Sequence, residues 1–149
     1  MCNMAIKRNF TDRYINDYIN AQIELKVQQM LETLMYIGNE VVTTARTSHK
    51  YKDQTGNLTS SIGYCVLRNG RSVSESMFEV VNNGQKGSDR GRDFLAELAD
   101  KHSDGIALIV VAGMEYAVYV NAKGLDVLDS AELKANEMIK DFKRQLKLQ

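Results

Sequence analysis

The sequence contains no proline, only two cysteines and two histidines, and no net charge. Without proline there is no proline-rich linker, and 149 residues are enough for one ordinary domain but few for two. Hydrophobic residues make up 44% and charged residues 26%, which is typical of a globular chain with a core. We therefore predict a single domain over residues 1–149, with residues 1–10 flexible.

The balance of charge and the lack of long apolar runs argue against two classes of partner. Nineteen Lys and Arg are offset by nineteen Asp and Glu, so no overall positive field favours nucleic acid as the main partner. No segment approaches the ~20 apolar residues that span a bilayer, and the first ten residues lack an apolar stretch of signal-peptide length. We expect a protein that is made and kept in a cytoplasm, with no membrane partner.

The few cysteines and histidines offer little for catalysis or metal binding. Cys2 and Cys65 form no CxxC pair, and a reducing compartment is the simpler interpretation. His49 and His102 lie in different segments, and His102 with Asp104 has no further His or Cys at ligand spacing. We predict no catalytic residue, no cofactor and no metal, and hence a protein that is not an enzyme.

Residues 82–92 are rich in glycine and in basic side chains. Gly84, Gly87 and Gly91 surround Lys86, but the Walker pattern needs a lysine between glycine and serine, which Gly87-Ser88 lacks. We interpret this stretch as a mobile, exposed loop and not as a nucleotide site.

The segment from Thr11 to His49 has apolar residues at helical spacing, and Thr11 is a suitable N-cap. An unbroken helix here would span roughly 55 Å, more than the diameter of a small domain, so part of its apolar stripe would need cover from outside. A bend at Gly38 is the alternative, because it would fold the second half onto the sheet. The stripe consists of Ile15, Ile19, Ile23, Val27, Met30, Leu34, Ile37, Val41 and Ala45.

The rest of the chain predicts a small sheet with further helices. Residues 63–81 form a hairpin candidate around Asn69-Gly70, the favoured dipeptide of a type I′ turn. A short helix around residues 94–99 is followed by an apolar run at 106–113, predicted to be the central strand. Residues 114–124 fit a strand or a helix, and a final helix begins at Asp129 with Glu132 in a capping box. The fold class is α+β: a long N-terminal helix, a small mainly antiparallel sheet with a hairpin, a short middle helix and a C-terminal helix.

Two groups of basic residues could form an interaction surface. One lies in the predicted loop, and the other forms a stripe along the last helix. That stripe has a simple explanation, since bases late in a helix complement its macrodipole. The sharper interpretation is a surface for an acidic partner or for DNA passing through a pore. The residues are Lys86, Arg90, Arg92, Lys140, Lys143, Arg144 and Lys147.

Two short elements, in this order, resemble the siphophage minor tail-component family of neck, tail-completion and head-to-tail joining proteins. The first is a Thr-Gly-x-Leu-x-x-Ser-Ile element after a long helix, and the second is Tyr-Ala-x-Tyr-Val followed by a glycine. This chain departs from the family at Asn121 and Lys123, where the family often has Glu and then a Gly-Thr pair. The matching positions are Thr55, Gly56, Asn57, Leu58, Ser61, Ile62, Tyr116, Ala117, Tyr119, Val120 and Gly124.

The resemblance implies a non-catalytic virion protein, assembled in the host bacterial cytoplasm. It would form a homo-oligomeric ring at the head-to-tail junction and bind neighbouring connector, tail-tube or tail-terminator proteins, with possible non-specific contact with DNA in transit. The alternative is a small intracellular module that binds nucleic acid through its basic residues, or binds another protein.

Overall fold

The computed structural model describes residue 7 and residues 9–147. The chain divides into two compact units, Met1–Met30 and Leu31–Gln149, where the sequence predicted one domain over residues 1–149. Residues 1–10, predicted to be flexible, lie largely outside the described part. The order of elements is α1 Asp12–Thr47, α2 Asn57–Ser60, β1 Ile62–Arg68, β2 Arg71–Glu75, α3 Gln85–Asp100, β3 Ile106–Ala112, α4 Ala117–Ala122 and α5 Asp129–Lys147. This is the predicted α+β class.

The first unit contains the beginning of α1. Thr11 caps it as predicted, since the Tyr14 backbone N–H donates to Thr11 Oγ1 over 3.3 Å. Almost every side chain of α1 up to residue 29 is exposed, and only Ile15 and Val27 are half-buried. The helix predicted from the apolar spacing is present and unbroken, and the part of its stripe in the first unit is left uncovered by the described chain, as the prediction of an unbroken helix stated.

The second unit is built on a three-stranded antiparallel sheet in the order β2-β1-β3. Asn69 and Gly70 both adopt positive φ, 50° and 77°, as a type I′ hairpin turn requires. The hairpin prediction is thus confirmed, although β2 ends at Glu75. Beyond it Phe78 turns to φ 49° and its side chain enters the core. The apolar run at 106–113 forms β3 and is not the central strand, because among the described strands β3 pairs with β1 alone and lies at an edge.

Both faces of β1 are covered, which explains why almost every residue of this strand is buried. Cys65 and Leu67 face α3 and pack with Phe78, Leu95 and Val111. The opposite face carries Tyr64, against which the part of α1 in the second unit lies.

At Gly38 the helix α1 comes close to the Tyr64 ring, and the helix continues through this residue without a break. A Cβ atom added there would lie 2.4 Å from the Tyr64 ring, so any larger residue would push the helix away from the sheet. The helix is therefore continuous at Gly38, where it lies close to Tyr64 of the sheet.

The chain after β3 is helical. Residues 114–124, which by sequence fit a strand or a helix, contain the helix α4. The last helix, α5, begins at Asp129 as predicted. Its N-terminus is not held by the predicted capping box, because Asp126 accepts hydrogen bonds from both the backbone and the hydroxyl of Ser130. Asp129 instead accepts a bond from the Asn121 side chain.

Candidate interaction surfaces

The first family-like element, Thr55 to Ile62, is a packing element in this structure. Gly56 adopts φ 75°, which a residue with a side chain rarely does, and starts the short helix α2. Leu58 and Ile62 are buried, and the Ser61 hydroxyl donates to the Leu58 carbonyl over 2.7 Å. Thr55 Oγ1 accepts a bond from the Asn57 side chain. These side chains hold the connector between α1 and the sheet.

The glycine-rich stretch packs on this element, so the predicted mobile loop at 82–92 is wrong. Residues 85–92 form the first half of α3, and Gly84, Gly87 and Gly91 precede or lie on its buried face. A Cβ at Gly87 would lie 1.9 Å from the Asn57 carbonyl oxygen, and one at Gly91 would lie 2.6 Å from the Ser61 carbonyl oxygen. Glycine is present because two backbones approach closely here and not because the segment needs freedom.

Two hydrogen bonds join α3 to the segments on which it packs. Asn57 Oδ1 accepts from the Gly87 backbone N–H over 2.9 Å. The fully buried Ser88 hydroxyl donates to the Phe78 carbonyl over 2.8 Å. The buried polar groups of this contact are therefore paired, which also removes the reason to expect a loop.

The second family-like element forms α4 and its C-terminal turn. Ala117 is buried and Val120 half-buried, whereas Tyr119 is 72% exposed and Tyr116 39% exposed. Gly124 adopts φ 72° after the helix, as is usual for a glycine that ends one. This element therefore combines a structural part with an exposed aromatic part.

The two histidines contact atoms of their own chain, and Cys65 is buried. His49 stacks on the Tyr51 ring, and His102 Nδ1 lies 2.9 Å from the Leu98 carbonyl at the end of α3. Burial, followed by the charge of Glu75, raises the pKa of the Cys65 thiol to about 11, so this thiol stays protonated at neutral pH. Over residue 7 and residues 9–147, no group of three or more His, Cys, Asp and Glu side chains could hold a metal ion.

The predicted basic surface does not form one patch on α3. Lys86 and Arg90 line a pocket with Glu115, whose carboxylate lies 4.0 Å from the Arg90 guanidinium. Arg92 instead donates to the Met77 carbonyl over 3.1 Å.

The four predicted surface cations of α5 are all exposed, whereas Lys134 of the same helix is half-buried and pairs with Glu40 over 3.0 Å. Lys140, Lys143 and Lys147 recur at helical spacing on one side, and Arg144 forms an ion pair with Asp141 at 3.2 Å. These four cations remain a candidate surface for an anionic partner. Most apolar side chains on the other side of α5 are half-buried.

An apolar groove of about 270 Å³ lies at the outer edge of β3. Val110, Val111 and Ala112 all line it, although successive strand residues point to opposite faces, so the groove follows the strand edge and not a face. Phe94 and Val118 also line it. Val118 is 74% exposed.

The largest run of exposed apolar side chains among the described residues lies on the first half of α1. Ile19, Ile23, Val27 and Met30 line a shallow groove of about 360 Å³ that has Tyr18 at one end. Ile23 is 55% exposed, although its spacing is the same as that of the buried Ile37 and Val41 later in the same helix. None of the described helices combines the length and the apolar character that crossing a membrane requires.

Comparison with protein-family models, with curated proteins and with solved structures finds no match for this chain. The resemblance stated from the two short elements therefore stays a prediction. Its first element has a structural role here that is sufficient to explain why those residue types occur.

Sequence reasoning missed the role of the glycines in α3 and that of Asn121. The spacing of Gly84, Gly87, Ser88, Gly91 and Leu95 is that of one helical face, and this was the available signal. Asn121 joins α4 to α5, since its Oδ1 accepts from the Val127 N–H over 2.9 Å while its amide donates to Asp129 over 3.0 Å. No spacing pattern in the sequence predicts that Asn121 joins these two helices.

Proposed function

We propose that this chain is a non-enzymatic structural subunit of a tailed-phage virion, acting at the head-to-tail junction as a neck or tail-completion protein. The exposed apolar face at the beginning of α1 is the observation that carries this proposal. Side chains such as Ile23 and Tyr18 are more than half exposed, and burying the exposed part of Ile23 gains roughly half of the about 1.5–3 kcal/mol that a fully exposed aliphatic side chain gains. A contiguous apolar surface of this kind is typical of a protein that completes its burial in an assembly.

The chemistry of the described residues also favours an assembly role. The histidines contact backbone and ring atoms of their own chain, and the buried thiol of Cys65 is protonated at neutral pH. The two family-like elements point to the same class of protein, with the connector, tail-tube or tail-terminator proteins of the virion as neighbours and a ring as the form of the assembly.

The test is the assembly state of the purified full-length chain, alone and mixed with a candidate tail-tube or connector protein. We expect light scattering and negative-stain microscopy to show self-association or joining to one of those proteins. The variant Ile23→Asp should weaken it, because a charge would have to enter the covered face. Gln28→Asp, about 140° away around the helix, is the matched control and should leave assembly unchanged.

A chain that stays monomeric at every concentration and joins neither protein would contradict the proposal. Equal loss of assembly in Ile23→Asp and Gln28→Asp would also count against a role for this face.

A nucleic-acid-binding module is the second candidate, favoured by the four exposed cations of α5. Their contact with DNA would also fit a protein that surrounds DNA in transit. A mobility shift that weakens with salt, and that disappears when Lys140, Lys143, Arg144 and Lys147 are all changed to Glu, would support it. The absence of a shift at low salt would remove this candidate.

A further inference from the structure

We propose that strand β3 pairs in antiparallel fashion with β3 of a second copy of this chain, about a twofold axis at Ile109. The three-stranded sheets of the two copies then join into one continuous sheet. This contact lies within the unit Leu31–Gln149 and uses no residue of the exposed face of α1. It goes beyond the proposed virion role and does not depend on it.

The hydrogen bonds beside β3 show which of its backbone groups face away from β1. Just before the strand, the Gly105 carbonyl accepts from the Asn69 N–H over 2.7 Å. Just after it, the Gly113 N–H donates to the Ser61 carbonyl over 3.1 Å. Bonding to one neighbour recurs at every second residue of an antiparallel strand, so the odd-numbered residues of β3 bond to β1. The backbone groups of its even-numbered residues therefore point to the open edge.

No described strand uses this open edge. Among the described strands β3 pairs with β1 alone, and the backbone hydrogen bonds between other described segments involve no residue of β3. Each residue of the edge offers one N–H and one C=O, which form a template for another strand. These residues are Ile106, Leu108, Val110 and Ala112.

The two edges of the sheet differ in their protection against pairing. β2 carries a charge at each end, Arg71 and Glu75, and its register shifts between Val66 and Leu67 of β1. Charges and bulges are features that discourage pairing at an edge. β3 has seven uncharged apolar residues, and its register with β1 continues without a shift. The edge of β3 is therefore suited to pairing, whereas the edge of β2 is not.

The residues of β3 are complementary to themselves when the strand is reversed about Ile109. Ile106 then lies opposite Ala112, and Leu108 lies opposite Val110. Ile109 meets its own counterpart, and the remaining pair joins an alanine to a valine. Larger side chains thus meet smaller ones on both sides of the axis, and all seven residues of the strand meet an apolar residue.

Other registers use less of the strand. Residues of the open edge bond only to open-edge residues of the other copy, so the register moves in steps of two residues. One step in one direction places Ala112 opposite Asp104, and one step in the other places Ile106 opposite Met114. Both Asp104 and Met114 lie outside β3. The register centred at Ile109 is therefore the one that pairs the whole strand.

The apolar groove beside β3 lies where this register places the second copy. Val110, Val111 and Ala112 line the groove at the end of the strand, together with Phe94 and Val118. Opposite these three strand residues come residues 106–108 of the second copy. Each copy therefore places the beginning of its β3 along the groove of the other.

A second copy covers this edge more completely than a strand from another protein does. A separate strand pairs with β3 on one side and exposes a new edge on its other side. Two copies of β3 present the same edge to each other, so neither edge stays open. This is an isologous contact, in which the same surface of both copies meets.

The size of the contact predicts its strength. Seven antiparallel residues extend over about 24 Å, and about eight hydrogen bonds join the two strands. One such strand pair covers less than the ~800 Å² per partner of a standard stable interface. We therefore expect a dimer that dissociates on dilution. An isologous contact joins copies in pairs, so closure of a ring would need a different surface.

Cross-linking tests the register directly. The variants Ile106→Cys and Ala112→Cys, each in a Cys2→Ser background, are mixed with oxidised glutathione, which is reduced as two protein thiols join. Residues opposite each other in a hydrogen-bonded pair have Cα atoms about 5.5 Å apart, a distance that a disulfide bridges. We expect a disulfide-linked dimer in the mixture.

Each cysteine variant by itself is the matched control. In the proposed register the two copies of residue 106 lie about 20 Å apart, as do the two copies of residue 112, so neither variant alone should cross-link. The remaining cysteine, Cys65, is buried. Equal cross-linking of a single variant and of the mixture would contradict the register.

Sedimentation equilibrium of the full-length chain from about 1 µM to about 1 mM measures the unmodified contact. We expect a monomer–dimer equilibrium. Val110→Pro removes an N–H of the open edge and leaves the bonds to β1, so the fold should tolerate it. Across the twofold axis this change removes two hydrogen bonds, which should raise the dissociation constant at least about tenfold.

Ser72→Pro is the matched control at the other edge. Arg71 lies beside the two-residue turn and bonds to Arg68, so the Ser72 N–H points away from β1. The same substitution there should leave the equilibrium unchanged. Circular dichroism checks that both proline variants remain folded, and the cross-linking result decides independently of them.

Three results would overturn the proposal: a monomer throughout the range, no cross-link in the mixture, or equal effects of Val110→Pro and Ser72→Pro on a folded chain. If the chain is monomeric and Val110→Pro instead abolishes binding to a candidate tail-tube or connector protein, this pairing is wrong while the proposed virion role is supported. A dimer with this register that joins neither protein would support the pairing and not the virion role.

Discussion

The first half of α1 and the first half of α3 have compositions that suggest the opposite of their burial. Residues 12–30 are rich in isoleucine and tyrosine, yet almost all of these side chains are exposed. Residues 84–91 contain three glycines and several charges, yet Gly87, Ser88 and Gly91 are buried. Composition describes what a segment could bury, whereas burial depends on whether a partner surface is present.

The difference lies in the partner. Gly87 and Gly91 meet the backbone carbonyls of Asn57 and Ser61, and the lack of side chains lets α3 approach them. Ile19 and Ile23 have spacing suited to a partner, and their exposed fractions of 48% and 55% show that it is not supplied within the described chain. The second case is therefore the observation on which the proposal of an outside partner rests.

The largest expected effect compares two isoleucines of the same helix. Ile37 is 1% exposed, so Ile37→Ala should lower the free energy of unfolding by about 3 kcal/mol, the middle of the range for buried aliphatic residues. Ile23→Ala should change it by less than about 0.5 kcal/mol in dilute protein. Urea unfolding followed by circular dichroism measures both. Similar losses for the two variants would mean that Ile23 is buried in the dilute chain.

A smaller effect is expected where a single methyl group is added to α3. Gly87→Ala should lower the free energy of unfolding by about 2 kcal/mol, because the new Cβ meets the Asn57 carbonyl. This loss is expected even though alanine is favoured over glycine in a helix by about 1 kcal/mol. Gln85→Ala, at an exposed position of the same helix, is the control and should be nearly neutral in the same urea titration. If residues 82–92 were a mobile loop, both variants would be tolerated alike.

The smallest effect concerns Asp126, which stabilises through local hydrogen bonds and not through burial. The bonds from Ser130, its side chain first, hold the pKa of the Asp126 carboxyl below its usual value. A carboxyl whose pKa is lower in the folded state adds stability above its unfolded pKa, about 4, and loses it as pH falls through the folded value.

Asp126→Asn keeps an acceptor and tolerates the positive φ of 45° at this position, but it removes the charge near the start of α5. We expect a loss of about 0.5 kcal/mol at pH 7 that shrinks as the pH falls below about 4. Free energies of unfolding at several pH values check this. A difference between the two proteins that grows toward low pH would contradict the assignment.

Much of the fold could be predicted because it depends on local signals. The apolar spacing of α1, the Thr11 cap and the Asn69-Gly70 turn all act within a few residues, and all appear in the structure. The errors occurred where a distant segment decides. Whether β3 is central or at an edge depends on which strands pair with it, and an apolar run of seven residues suits either position.

The candidate surfaces were less predictable than the fold. Cations such as Lys140 and Lys143 were identified from their spacing, and they are exposed. The division of the α3 cations between two sides, with Arg90 near Glu115 and Arg92 at Met77, required the positions of residues far away in the chain.

The sequence by itself determined the helices, the hairpin and the α+β class, because spacing, caps and turn residues act over short distances. Only the tertiary structure decided which apolar faces are covered. Coverage is a property of two surfaces, and a pattern along one segment specifies only one of them. The same reason explains why glycines that look like a loop are buried in α3, and why isoleucines that look like a core are exposed in α1.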